Sequence, residues 1–113
     1  MNALEYTKEL IAIPSPSGEE RAITEFIKSM ITPFGTVTKT NHSLALHIKG
    51  KNTKRAFILN GHTDTVPTSD LWSHDPYVPI EKNDKLDGLG ASDMKSGTGI
   101  MLTLAQYYAA DQP

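Results

Sequence analysis

Apolar residues recur along this chain with two different periods, and the change from one to the other separates helices from strands. Asn2 and Glu5 have the spacing of a reciprocal N-terminal cap, and Leu4, Leu10 and Ile11 predict a short helix ending before Pro14. Pro14 to Gly18 reads as a turn. Ser17 and Glu20 repeat the capping spacing, and Ala22, Ile23, Phe26, Ile27, Met30 and Ile31 return at helical steps. They predict a second helix with one buried face, stopped by Pro33 and Gly35. The period then falls to two. Val37, then Leu44, Leu46 and Ile48, alternate with polar residues as half-buried strands do, with Asn41 and His42 in the turn between them.

Ala56, Phe57, Ile58 and Leu59 form a continuous apolar run between Lys54-Arg55 and Asn60-Gly61, the pattern of a central strand covered on both faces. Pro67 to Lys85 carries Pro67, Pro76 and Pro79 with little periodicity and predicts an extended excursion. Ile100, Met101, Leu102, Leu104, Ala105, Tyr107 and Tyr108 make the last segment apolar nearly all round, which predicts a helix lying deep against a sheet. The order of elements indicates an α/β fold. No repeat, low-complexity tract or internal linker interrupts it.

Composition narrows the chemistry. A chain of 113 residues has room for one domain, which would bury about two thirds of its unfolded surface. Its net charge of -2, with scattered Lys and Arg, offers no basic stripe for a phosphate backbone, so nucleic acid is excluded as a partner. There is no cysteine, which removes disulfides, thiolate nucleophiles and sulfur-ligated zinc; any metal must sit on nitrogen and oxygen. No apolar run reaches membrane-spanning length, and Glu5, Lys8 and Glu9 break up the N-terminus where a signal peptide would be continuous. The expectation is a cytoplasmic protein with no membrane partner.

Two stretches could carry chemistry. The first is Asn60-Gly61-His62-Thr63-Asp64-Thr65-Val66-Pro67, where the apolar run gives way to loop, a place at which α/β folds put sites. In extended backbone, residues two apart share a side, so Asp64 can accept the ring N–H of His62 and fix the tautomer that leaves the other nitrogen for a metal. The second is Gly88 to Gly97, in which Asp93 stands between a glycine-rich approach and a helix start. Its two oxygens could bridge divalent ions about 3.5 to 4 Å apart. Taken singly, His62 and Asp64 could instead satisfy turn backbone, and Asp93 could cap the helix after it. Their pairing and the glycines favour the metal-binding account. His47 points to the polar side of its strand, His42 lies in a turn, and His74 with Asp75 has no supporting spacing. Trp72 with Pro76 and Tyr77 reads as an apolar anchor for the loop.

Gly61 to Pro67, Trp72, Asp75-Pro76, Lys85-Leu86, and Gly88-Leu89-Gly90 through Ser92-Asp93-Met94-Lys95 stand in a telling order. On them the chain resembles the N-terminal part of the acetylornithine deacetylase, succinyl-diaminopimelate desuccinylase, aminoacylase and carboxypeptidase G superfamily of dinuclear zinc metallopeptidases. The likeness extends over all 113 residues. It implies that residues 1–113 are the N-terminal portion of a three-layer α/β/α catalytic domain with a mixed sheet, lacking the dimerisation domain. It implies that His62 binds one zinc, Asp93 bridges two, and Asp64 acts in catalysis by orienting His62. Two divalent metal ions are implied as cofactors, zinc first, although cobalt and manganese suit the same ligands. The implied reaction is hydrolysis of an amide in an N-acyl amino acid or short peptide, by two-metal activation of water with a glutamate as base. The parent would be a homodimer.

Within the likeness, Gly88-Leu89-Gly90 looks most like acetylornithine deacetylases, since desuccinylases often have arginine at the position of Leu89. Asp87 and Ser96 depart from the usual aromatic and glycine. The family's catalytic glutamate, remaining carboxylate ligands and last histidine all come after the bridging aspartate. Here the last Glu is Glu81, the last His is His74, and only Asp111 follows Asp93 among the acids. The expectation is a truncated or incomplete frame with no turnover of its own. The competing account is a naturally short, non-catalytic module that uses the half-site to bind a metal or a partner.

Overall fold

The structure, a computed structural model, describes residues 1–111. It is a small α/β unit of three helices and two separate antiparallel hairpins. In chain order these are α1 (Ala3–Ile11), α2 (Arg21–Ile31) with a tight turn Thr32–Phe34, β1 (Thr36–Lys39), β2 (Leu44–His47), β3 (Ile80–Lys82), β4 (Lys85–Asp87) and α3 (Ser96–Ala110).

The start of α1 follows its capping spacing. Asn2 Oδ1 accepts from the Glu5 N–H at 2.9 Å, and the Asn2 N–H donates to Glu5 Oε2 at 2.8 Å, so two otherwise orphaned donors are satisfied. The second predicted cap does not form. Glu20 is the residue before α2 and no side chain caps it, because the Ser17 hydroxyl is committed elsewhere. The helix stands instead on its apolar face. Ile23, Ile27 and Ile31 are buried with Tyr6 and Leu10 of α1 and Leu102 of α3, and Val37, Leu44 and Leu46 of the first hairpin close over this core. The β1–β2 register pairs Val37 with Leu46, placing both on the same face as the alternation predicts.

The proline-rich excursion holds a hairpin the apolar pattern did not suggest. β3 and β4 pair Lys82 with Lys85 across Asn83 and Asp84, at φ 53° and 57°. Two consecutive left-handed residues make the tight turn that matches strand twist, and Asn and Asp tolerate that region best after glycine.

Two other expectations fail. Ala56–Leu59 is not a strand; Phe57 is 88% and Ile58 82% exposed, because among the described residues no strand lies alongside to take its backbone hydrogen bonds. Nor does α3 lie deep against a sheet. It packs on α1, burying Thr98, Gly99 and Leu102, while Ile100 and Tyr107 remain in solvent. The radius of gyration, 15.0 Å, exceeds the roughly 13 Å of a close-packed chain of about this length. No described helix is long and apolar enough to cross a membrane.

The α1–α3 contact is backbone-close. A β-carbon at Gly99 would lie 2.8 Å from the Ala3 carbonyl oxygen and run into the Thr7 side chain. Gly99→Ala is expected to push the two helices apart and cost about 1–3 kcal/mol in urea-unfolding free energy, despite the better helix propensity of alanine.

Candidate functional site

The site is assembled by three segments that meet at the loop after α1. Residues 62–65 run extended. Thr65 pairs in parallel with Pro16: its N–H donates to the Ser15 carbonyl at 2.9 Å, and its carbonyl accepts from the Ser17 N–H at 3.2 Å. The buried Ser15 hydroxyl donates to the Thr63 carbonyl at 2.7 Å. Extended geometry puts residues 62 and 64 on one side, and His62 Nδ1 lies 2.9 Å from Asp64 Oδ1. The other oxygen of that carboxylate, Oδ2, accepts the hydroxyl of Ser17.

Asp93 arrives on the third segment, a wide turn over Ala91–Lys95 in which Asp93 and Met94 leave helical geometry. Gly90 opens this turn at φ 82°, a conformation that suits glycine, and a β-carbon there would meet the Thr65 methyl at 2.6 Å. The turn therefore sits directly on the first motif. Lys95 closes it. Its side chain is buried, 1% exposed, and Nζ donates to the carbonyls of Leu10 at 2.7 Å and Ile13 at 2.8 Å. Burial pulls its pKa down to about 8.

His62 Nε2 then lies 2.8 Å from Asp93 Oδ1. The imidazole is held between two carboxylates, one on each nitrogen. The Asp93 hydrogen bond is the largest influence raising its pKa; partial desolvation opposes it and Asp64 adds to it. The Asp64 carboxyl is held below its ordinary value, first by the Ser17 hydroxyl and then by His62. Neither carboxylate is buried, Asp93 being 84% exposed at its side chain, so the centre is open to incoming ligands.

The structure thus brings His62, Asp64 and Asp93 together. Asp93 does not cap α3, which begins at Ser96 behind Lys95 without a side-chain cap. His74 does not join them: its Nδ1 contacts the Asp75 carbonyl at 2.9 Å and its ring meets Trp72 edge-on at 5.6 Å. His42 and His47 are exposed. Trp72 is half-buried beside a shallow cleft of about 340 Å³ shared with Leu86, Gly88 and Ser92. Two supporting residues escaped the sequence reading. Ser17 was assigned to a cap, and nothing local distinguishes Lys95 from a solvated lysine.

Imidazole nitrogen and carboxylate oxygen are the donor types that a hard or borderline divalent cation takes. A cation held by Nε2 and Asp93 together would take the place of the 2.8 Å hydrogen bond between them. Among the described residues, however, no group of three or more His, Cys, Asp or Glu side chains could hold a metal ion by itself. The pair fits as part of a site and not as the whole of one.

The profile of peptidase family M20/M25/M40 matches residues 58–113, the stretch carrying all three site residues. Succinyl-diaminopimelate desuccinylase of Helicobacter pylori strain P12 is 35% identical over 130 aligned positions, covering 100% of this chain and 34% of the relative. The chain belongs to this peptidase family. The desuccinylase of Janthinobacterium sp. strain Marseille is 33% identical, covering 97% of this chain and 31% of its own, and that of Delftia acidovorans is 30% identical, covering 97% and 32%. The chain therefore spans about a third of the length of these relatives. The matched residues begin at Ile58, so the Ser17 contact on Asp64 comes from outside the profile.

Two measurements probe this arrangement. In the metal-free protein, NMR titration is expected to place the His62 midpoint above 6.5, and Asp93→Asn to return it toward that value. Because the folded-state pKa is the raised one, the stabilising contribution is whole below 6.5 and is lost as pH climbs through the raised midpoint. For Lys95 the sign reverses. Its folded-state pKa of about 8 lies below the ordinary 10.5, so the unfolded chain holds more protons between them and stability from this group rises over that interval. Lys95→Met should abolish that rise and, by taking the ammonium donor from the Leu10 and Ile13 carbonyls, lower stability by about 1–3 kcal/mol at neutral pH in denaturant titrations.

Proposed function

We propose that the polypeptide carrying this chain is a metal-dependent hydrolase that cleaves the amide bond of an N-acyl amino acid, with this stretch supplying the first part of its two-metal centre. The observation that carries the proposal is His62 fixed between Asp64 and Asp93, at 2.9 and 2.8 Å, within a stretch matched by a metallopeptidase family. His62 Nε2 would hold one divalent ion, zinc by preference with cobalt or manganese as substitutes, and the Asp93 carboxylate would bridge two. When bound, the ions supply Lewis-acid polarisation of the scissile carbonyl and a lowered pKa for water.

The chain's own residues do the preparatory work. Asp64 keeps the proton on Nδ1, which leaves the Nε2 lone pair for the cation and makes it more basic. Gly90 lets the Asp93 turn rest against Thr65, so the two ligands meet without a long side chain having to span the gap. Asp93, open to solvent, can take a metal without any core residue moving. Further ligands and the catalytic base lie outside this stretch, so the 113 residues alone are not competent.

The names of the relatives favour an N-succinyl amino acid as substrate, and Leu89 in Gly88-Leu89-Gly90 keeps an N-acetyl amino acid as the second reading. A small peptide is the third. The same proposal includes a three-layer α/β/α domain with a mixed sheet in the whole protein, a homodimer formed by a domain not present here, and a cytoplasmic location.

The test uses the full-length polypeptide loaded with zinc and assayed against N-succinyl-diaminopimelate, N-acetylornithine and a dipeptide. Turnover of one of the acyl amino acids is expected, with His62→Ala abolishing it and Asp64→Asn lowering kcat/KM or metal affinity about 10–100-fold. Undiminished activity in His62→Ala would remove His62 from the centre and sink the proposal. Chelation should abolish turnover and zinc restore it.

A further inference from the structure

The proposed centre explains His62, Asp64 and Asp93 but not why Asp64 is held on both of its oxygens. A carboxylate on the surface rotates freely, and the Asp64 side chain is 34% exposed, so water competes for it. If it turned, His62 Nδ1 would keep only the longer contact to the Asp64 backbone carbonyl at 3.2 Å, and the ring would be less firmly directed. The structure shows what prevents this. The Ser17 hydroxyl donates to Oδ2 and leaves Oδ1 for His62 Nδ1 at 2.9 Å. The hydroxyl is itself placed by backbone, since the Ser17 N–H donates to the Thr65 carbonyl at 3.2 Å and the Thr65 N–H donates to Ser15 at 2.9 Å. Donor and acceptor thus sit on two extended segments joined at one bridge, and neither can drift without breaking that bridge at Pro16 and Thr65.

We infer that Ser17 is a positioning residue for the metal centre, acting through Asp64 to hold the Nδ1–H of His62 in place and so aim Nε2 at the cation. The inference rests on the metal-centre reading for its consequence, but the hydrogen-bond relay it describes exists without metal. It also gives the turn after α1 a role distinct from folding. Pro14 to Gly18 is far from His62 in sequence, yet it delivers the one side chain that orients the carboxylate behind the ring. Because Ser17 accepts nothing from His62 and touches neither Asp93 nor the solvent-facing nitrogen, its effect on the cation passes wholly through Asp64.

The experiment compares the full-length polypeptide with Ser17→Ala, Ser17→Thr and Ser15→Ala. The first readout is the low-field Nδ1–H proton resonance of His62 in metal-free protein, which persists only while a fixed acceptor shields it from exchange. The second is zinc affinity by chelator competition. Ser17→Ala is expected to lose the resonance and weaken zinc binding about tenfold, while Ser17→Thr, which keeps a hydroxyl, retains both. Ser15→Ala removes the bond to the Thr63 carbonyl but not the hydroxyl on Asp64, and should keep the resonance. The inference is overturned if Ser17→Ala keeps both the resonance and the affinity. It is overturned equally if Ser15→Ala loses the resonance to the same degree, since the effect is then general loosening of the turn. Failure of the wild-type protein to bind zinc would count against the metal-centre reading alone, and the resonance comparison would still decide the role of Ser17.

Discussion

The buried ammonium of Lys95 is the contact on which the arrangement depends. A charge taken out of water must find polar partners, and this one finds two carbonyls where α1 ends, that of Ile13 and that of Leu10, which also accepts the Ile13 N–H at 3.2 Å. One side chain thereby satisfies the helix terminus, anchors the start of the Pro14–Gly18 turn and fixes the far end of the wide turn that carries Asp93. The partners of His62 reach it along two routes from the same place. Asp93 comes through Lys95, and Asp64 comes through the pairing of Ser15 and Ser17 with residues 63–65. A small centre built from segments far apart in sequence gains its precision from this shared foundation, not from burial, since its carboxylates remain open to solvent.

How much of this was legible in the sequence depends on how local each cause is. The Asn2–Glu5 cap, the isoleucine face of α2 and the Val37–Leu46 alternation follow from spacing alone, and all three form as read. His62 with Asp64 was legible for the same reason, because a separation of two in extended chain is itself a geometry. The meeting of His62 with Asp93 is different. Nothing in the spacing of residues 62 and 93 brings them within 2.8 Å; only the resemblance to a family implied it. Ser17 shows the cost of a purely local reading, since a serine three residues before a glutamate before a helix has the form of a cap, and tertiary pairing redirected its hydroxyl. Asn83-Asp84 shows the opposite failure, a local turn signal overlooked because neighbouring prolines dominated the segment.

The two apolar stretches that were read as buried are exposed for one reason. A run such as Phe57-Ile58-Leu59 states only that the segment prefers an apolar surround; it does not supply one. Among the described residues no strand flanks it, and the outer face of α3, with Ile100 and Tyr107, likewise lacks a covering layer. The core that does form lies on the other side, among α1, α2, α3 and the first hairpin, so the chain can order its site while part of its apolar surface stays wet.

That wet surface bears on handling the polypeptide. Phe57, Ile58 and Leu59 present unpaired backbone and aromatic or branched side chains together, the combination that recruits other chains edge to edge. Immediately before them stand Lys54 and Arg55, and Lys49 and Lys51 lie a few residues earlier, with no acid among them. Charges of one sign at the mouth of a sticky segment repel a second copy of the same segment, the role of gatekeepers flanking an unavoidable apolar run. The basic residues ahead of this run, which take no part in the site, thus give it a charge: a second copy brought up edge to edge meets like charges, and salt weakens that repulsion.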